Sequence, residues 1–280
     1  MARLHSPIFH ENNLLQNGTQ PDTALISIDH VDFFVHAACL LADSANGFGG
    51  LLPAEAPPNP ITNTLTVVVP ESSRVLNAML HAAYSLTIPS DHTDIETLVT
   101  TATSLLDIYG FTVALVLSPP SPLHAALTEK AADEPLKVYT LAGHYGAETL
   151  AIVASSNLIS FPLALLTDAD AEYIGGPYVL RLALLQHKRA TTLKRMLQRP
   201  IDGHEETSTC GKTEQLVVIE AWSHAAALLT YIAAADTAGA IIEAAFSKLQ
   251  DDFSCLECCA MLVARIATFV HDWAAVQNTI

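Results

Sequence analysis

The β-prone segments of this chain all fall within its first seventy residues, and that placement constrains the fold more than any other feature. Ala24-Leu25-Ile26-Ser27-Ile28 is apolar and β-prone, Asp29-His30 supplies a turn, and Val31-Asp32-Phe33-Phe34-Val35 is a second such run. Two short runs around a two-residue polar turn predict a hairpin. Residues 64–69, Thr-Leu-Thr-Val-Val-Val, predict a third strand. Beyond Gly110 only residues 111–117 are ambiguous, and the remainder reads as helix. Strands early and helices late predict an α+β domain followed by an all-helical extension. No internal repeat at a solenoid period is present.

The punctuation between these segments is explicit. Residues 36–43 turn helical, and 44–60 are broken by Gly47, Gly49, Gly50 and prolines at 53, 57, 58 and 60. Ser72 or Ser73 caps the next helix, whose apolar positions are Val75, Leu76, Met79, Leu80 and Ala83. Thr93 and Glu96 form a capping-box pattern ahead of a stripe from Ile95 to Tyr109, and Gly110 supplies a left-handed stop. Helices follow over 133–146, 147–159, 176–199, 214–235, 238–249 and 254–277, with 201–213 a polar loop. Residues 1–20 lack periodicity and predict a flexible arm. The expected organisation is an arm over 1–21, an α+β domain over 22–129, a helical extension over 130–200 and a C-terminal helical region over 201–280.

Half of the 280 residues are hydrophobic and only 15% are charged, so much helical surface is Ala, Thr and Ser. Such a surface suits either a covering partner or a compact Ala-rich globule that binds nothing. The net charge of −16 argues against nucleic acid as a partner of the whole chain, because phosphate would be repelled. Against that background Arg181, Lys188, Arg189, Lys194, Arg195 and Arg199 crowd into one segment. Arg181, Lys188 and Arg195 share a helical face, either a docking stripe for an acidic surface or a solvated face favoured by the helix dipole. Residues 1–20 show no secretory pattern, and the longest apolar runs are shorter than a membrane span, so no membrane partner is expected. Five cysteines, an odd and sparse count, argue against a disulfide framework and for a reducing compartment, cytoplasm or nucleus.

Known catalytic patterns are missing. Gly47-Phe48-Gly49-Gly50 lacks the lysine of a phosphate loop and the spaced glycines of a dinucleotide fold, and there is no Gly-x-Ser-x-Gly elbow or His-Glu-x-x-His helix. His81, His124, His144 and His224 lie in helical stretches with no readable orienting partner, so no catalytic residue and no organic cofactor are expected. The one inorganic candidate is Cys255-x-x-Cys258, which with Cys210 and His204 could form a tetrahedral zinc site. The alternative is that these cysteines are small buried hydrophobes at a helix start.

Asp32, Phe34, His36, Leu40, Ser44 and Phe48 stand in the order of the "Asp-x-Phe-x-His, then Leu, then Ser-x-x-x-Phe" run that opens BTB/POZ domains. Residues 65–69, then Val75-Leu76-x-x-Met79-Leu80-x-x-x-Tyr84, then the Ala102 to Tyr109 segment, resemble the elements that follow in that family. Pro135 to Ala142, and the stretch around Leu180 to Arg189, are similar to helices of the BTB proteins of mushroom-forming fungi. The resemblance covers residues 22–199. It implies a non-enzymatic protein-association module that pairs with itself or with another BTB protein. Asp32 and His36 would support the hairpin and the helix start, and Phe34, Leu40 and Phe48 would be core. The first helix would offer a symmetric dimer face through Ala37, Ala38 and Leu41. Two departures bear on specialised outputs. Ala37 replaces the basic residue common in repressor members, and Pro53-Ala54-Glu55 is a poor version of the hydrophobic-x-Glu motif of members that recruit a cullin. Both departures count against those specialised outputs; an adaptor for a cullin-type ubiquitin ligase is nonetheless the first alternative to simple association, and an uncharacterised hydrolase is the alternative of another class.

Overall fold

A computed structural model describes residues 4–15, 18–52, 64–89 and 93–280. The expected Pro53-Ala54-Glu55 motif lies outside them. The chain is α+β and forms two units, one of residues 1–154 and 172–175 and the other of residues 155–171 and 176–280.

The first unit is built on a small sheet. Strands β2 (Thr23–Ile26) and β3 (Val31–Val35) are antiparallel, with Thr23 opposite Val35 and Ile26 opposite Asp32. The hairpin turn is wider than the sequence predicts. Ser27 and Ile28 belong to it, because the Ser27 hydroxyl accepts the Val31 N–H at 3.0 Å and His30 turns left-handed at φ +64°. Strand β4 (Leu65–Val68) joins the outer side of β2 in parallel. Strand β1 (Leu4–His5) joins β3 in parallel, giving the order β1-β3-β2-β4.

That first strand corrects the flexible arm. Besides the pairing of Leu4 and His5, the Phe34 N–H donates to Phe9 O at 2.9 Å. Phe9 is fully buried, edge-on to Tyr84 with ring centroids 5.4 Å apart. A two-residue strand is too short to show a period of two, which is why it escapes a reading by periodicity.

The motif residues have mostly structural places. Leu40 is the one buried residue of α1 (Ala37–Asp43). Phe48 is buried and stacks on Tyr109, centroids 4.1 Å apart. The Ser44 hydroxyl donates to Tyr109 O and accepts from Phe48 N, both at 2.7 Å, so it clips the turn after α1 to the end of a later helix. His36 is buried, with its N–H on the Tyr84 hydroxyl at 2.7 Å and its Nε2 3.2 Å from Thr19 O. The first N–H of α1 is taken by Asp22 Oδ1 at 2.8 Å, whereas Asp32 lies on β3 beside His5. Phe34 is half-buried rather than core, and its neighbour Phe33 is buried instead. Adjacent strand residues face opposite sides, and Phe34 takes the face that meets the His5 ring, centroids 5.9 Å apart.

Helix α2 (Ser73–Ala83) starts at Ser72, whose hydroxyl accepts from Val75 N, while Ser73 binds Asp29. Helix α3 (Ile95–Thr103) is capped by Asp94 rather than Thr93. The Asp94 carboxylate accepts the Thr97 N–H at 2.7 Å, and the Thr93 hydroxyl donates to Pro89 O. It widens into a π turn over Ser104–Ile108 and ends at Gly110, φ +70°, where a side chain would collide with the Asn46 carboxamide. Buried beneath this end, the Tyr109 hydroxyl donates to Glu71 Oε2 at 2.5 Å. The ambiguous residues 111–117 contain a short helix, α4 (Val113–Val116). Helices α5 (Pro122–Lys130) and α6 (Pro135–Tyr145) pack against α3 and each other, so the segment after residue 129 belongs to the first unit rather than to a separate extension. Helix α7 (Glu148–Ser156) and a helix absent from the sequence reading, α8 (Asp168–Ile174), complete the middle of the chain.

The second unit is helical. Helices α9 (Gly176–Leu197), α10 (Lys212–Ile232), α11 (Gly239–Ser247) and α12 (Leu256–Ala274) surround one core. At its centre Trp222 stacks on Phe246, centroids 3.8 Å apart and planes 10° apart, with Phe269 alongside. The Trp222 indole donates to Arg199 O at 3.2 Å, so its one polar atom is satisfied. Leu193 and Leu197 of α9 join this core, which is why α9 belongs with α10–α12 instead of ending a domain at residue 200.

Candidate metal centre

The loop from α9 to α10 and the start of α12 meet at a cluster of sulfur and imidazole. In the loop, Thr207 and Cys210 exchange backbone hydrogen bonds, N–H to O distances 3.0 and 3.4 Å, which turns the Cys210 side chain inward. Cys255 is the N-cap of α12 and Cys258 lies one turn inside it, so a spacing of three puts both sulfurs on one side. Cys259 faces elsewhere, with its Sγ 3.6 Å from Phe253 O.

His204 Nε2 lies 3.2 Å from Cys258 Sγ and 3.5 Å from Cys255 Sγ, and Cys210 Sγ lies 3.6 Å from Cys258 Sγ. All four candidate ligand atoms lie within 4.8 Å of one another. Zn–S bonds of ~2.3 Å and Zn–N bonds of ~2.0 Å around a tetrahedral ion put ligand atoms roughly 3.5–3.8 Å apart, so the separations of 3.2, 3.5 and 3.6 Å are close to those of a metal cage. They are far longer than the ~2.05 Å of a disulfide, and every cysteine is a free thiol. The cluster can hold a metal ion.

The second nitrogen of His204 is also placed. Nδ1 lies 2.6 Å from Glu205 O and 3.2 Å from Glu257 Oε2. A proton on Nδ1 satisfies both oxygens and leaves the Nε2 lone pair facing the sulfurs, the arrangement that orients a histidine ligand. The buried Gln215 carboxamide lies 3.4 Å from the same Nδ1, and Gly203 leaves the room that Gln215 occupies.

Electrostatics favour a cation. The N–H of Cys258, with that of Glu257, stabilises the Cys255 thiolate and brings its pKa down to about 7. Burial, then the neighbouring Cys210 and Cys255, pushes Cys258 up to about 12. Burial also raises Cys210. Three thiols so close cannot all ionise without a counter-charge, and a divalent ion supplies it. The Glu205 carbonyl raises His204, so a proton and a metal compete for that ring.

All four residues proposed as ligands from the sequence, His204, Cys210, Cys255 and Cys258, are thus brought together. Glu257 and Gln215 were missed. Glu257 sits inside Cys-x-x-Cys itself, a position that could have flagged it, whereas nothing in the sequence points to Gln215. The other candidate surface, on α1, has Ala38 exposed and Ala37 and Leu41 half-buried. In comparisons with protein-family models, with curated proteins and with solved structures, the chain matches none.

Proposed function

We propose that this chain is a protein-association module without catalysis of its own, whose helical unit is pinned by one structural zinc ion. The observation that carries the association reading is the surface of α1. Of Ala37–Asp43 only Leu40 is buried, Ala38 and Ala42 are exposed, and no charge precedes Asp43. Such a strip stays in water unless a partner covers it, and a two-fold axis lets one patch serve both copies. The BTB/POZ-like reading of the first unit draws on the motif run from Asp32 to Phe48. It is supported by the order of hairpin, short helix, parallel strand and helices, which is the order that the resemblance implies. The partner is a second copy or another protein of that type, and the setting is cytoplasm or nucleus.

The zinc reading is supported by the ligand set. Three thiolates and one imidazole suit zinc, and four protein ligands close the coordination sphere, as in structural sites, whereas catalytic zinc keeps a position for water. Sedimentation equilibrium of the full chain at micromolar concentration tests the association: a dimer is expected, with Leu41→Asp shifting it toward monomer. A monomeric wild type overturns the reading.

A further inference from the structure

We infer that the second unit carries a binding cleft for a small anionic amphiphile, a carboxylate or phosphate monoester on an apolar chain. The inference is independent of the α1 surface and of the metal centre. It starts from the segregation of charge. No acidic residue occurs between Glu172 and Asp202, although the chain carries a net charge of −16. Within that stretch α9 presents Arg181, Lys188, Arg189, Lys194 and Arg195.

Three of those cations line a cleft of about 390 Å³ between α9 and the segment after α12, and none of its lining side chains is acidic. A volume of this order suits a small ligand. Its apolar wall is Leu184, Leu185, Val276 and Ile280. Leu184 is 41% exposed, an apolar surface left open beside the cations.

Arg189 is the pre-organised member. Its Nε donates to Ala235 O at 2.9 Å and its Nη1 to Val276 O at 2.6 Å and Gln277 O at 3.0 Å. The guanidinium lies over the Trp273 ring, 4.5 Å from its centroid. These carbonyls hold the group but do not neutralise it, and among the described residues no carboxylate pairs with it. A half-buried, immobilised cation without a counter-charge is costly to keep, and an anionic ligand would supply the missing charge through Nη2. Lys188 stands exposed at the mouth. An acidic head there places an attached chain against Leu184, Leu185 and Ile280.

The test is calorimetric titration of the full, metal-loaded chain with four probes below their micellar concentrations: octanoate, octyl phosphate, octanol and inorganic phosphate. Octanoate or octyl phosphate binds, and which of the two is tighter identifies the head group. Octanol and inorganic phosphate bind at least about tenfold more weakly, because each lacks one half of the recognition. Lys188→Gln, which leaves the backbone ties of Arg189 intact, weakens the better probe about tenfold. Leu184→Asp, on the exposed apolar wall, does the same. Saturable binding of neither amphiphile at millimolar concentration overturns the inference. So does equal affinity for octanol and octanoate, or undiminished binding by both variants while their helical circular dichroism matches wild type.

Discussion

With zinc in the cluster as proposed, stripping the metal should destabilise the helical unit without unfolding it outright. The cage ties Cys210 to Cys255, 45 residues along the chain. Treated as a cross-link, closing a loop of that length removes about 4 kcal/mol of unfolded-state entropy. For a unit of about 120 residues, whose unfolding entropy is roughly 0.25 kcal/mol/K, that corresponds to a fall in Tm of about 15 °C. Collapse is not expected, since Cys210 and Cys258 are each 1% exposed and can remain as neutral thiols against Val218 and Met261. The assay is thermal denaturation followed by circular dichroism, before and after dialysis against a strong chelator, with elemental analysis of both samples. Cys258→Ser should reproduce the chelated melt and lose the metal. Cys259→Ser, altering a thiol that faces the Phe253 carbonyl, should retain both metal and Tm. Fewer than roughly one zinc per four chains in protein purified without chelator, together with superimposable melts, would refute the reasoning and leave the cysteines as buried hydrophobes.

Further outcomes follow from the same geometry. Glu257→Ala removes the carboxylate that orients His204, and competition with a chromophoric chelator should show zinc affinity lowered by about tenfold, the mild end for an outer partner because Glu257 is largely exposed. Metal binding should release protons: at pH 8 the Cys255 thiol, at about 7, is already mostly ionised, while Cys258, at about 12, and the raised Cys210 must each give one up. Calorimetry in buffers of different ionisation enthalpy should then find about two protons per zinc at pH 8 and more at pH 6, so affinity falls as pH falls; binding without proton release would count against thiolate ligation. In the first unit, Tyr109→Phe keeps the stack on Phe48 but strips the buried Glu71 carboxylate of its hydroxyl donor, and urea denaturation should show a loss of about 1–3 kcal/mol.

How much of the fold was legible depends on how local its causes are. The hairpin, the parallel strand and the helix ends at Gly110 and Gly146 are written in alternation, β-branched runs and glycine, and the structure has them. The errors arise where a tertiary partner decides between local options. Thr93 and Asp94 are both competent caps, and Thr93 loses because its hydroxyl bonds Pro89 O. Phe33 and Phe34 are equally apolar, and only the placement of the helices says which one is core. Leu4 and His5 become a strand because β3 offers an edge. The unit boundaries moved because α6 and α9 bury their apolar faces against neighbours that periodicity does not name.

The candidate metal site was legible for a different reason: its residues are of chemically rare types, so four of them far apart in sequence still point to one another. What orients His204 is generic, a glutamate among many, and becomes visible only through distance. A metal bound there would meet a physical need of the loop itself. Between Ile201 and Cys210 no side chain is fully buried, so these residues gain almost nothing from the hydrophobic effect to offset the cost of ordering them. His204 and Cys210 are the two points at which this loop is tied to the start of α12, and both ties pass through the cluster. Metal loss should therefore register first in the loop. The Thr207 and Cys210 amides, bonded to each other across the loop, should exchange markedly faster in the chelated chain, while those around Trp222, held by stacked rings, change far less.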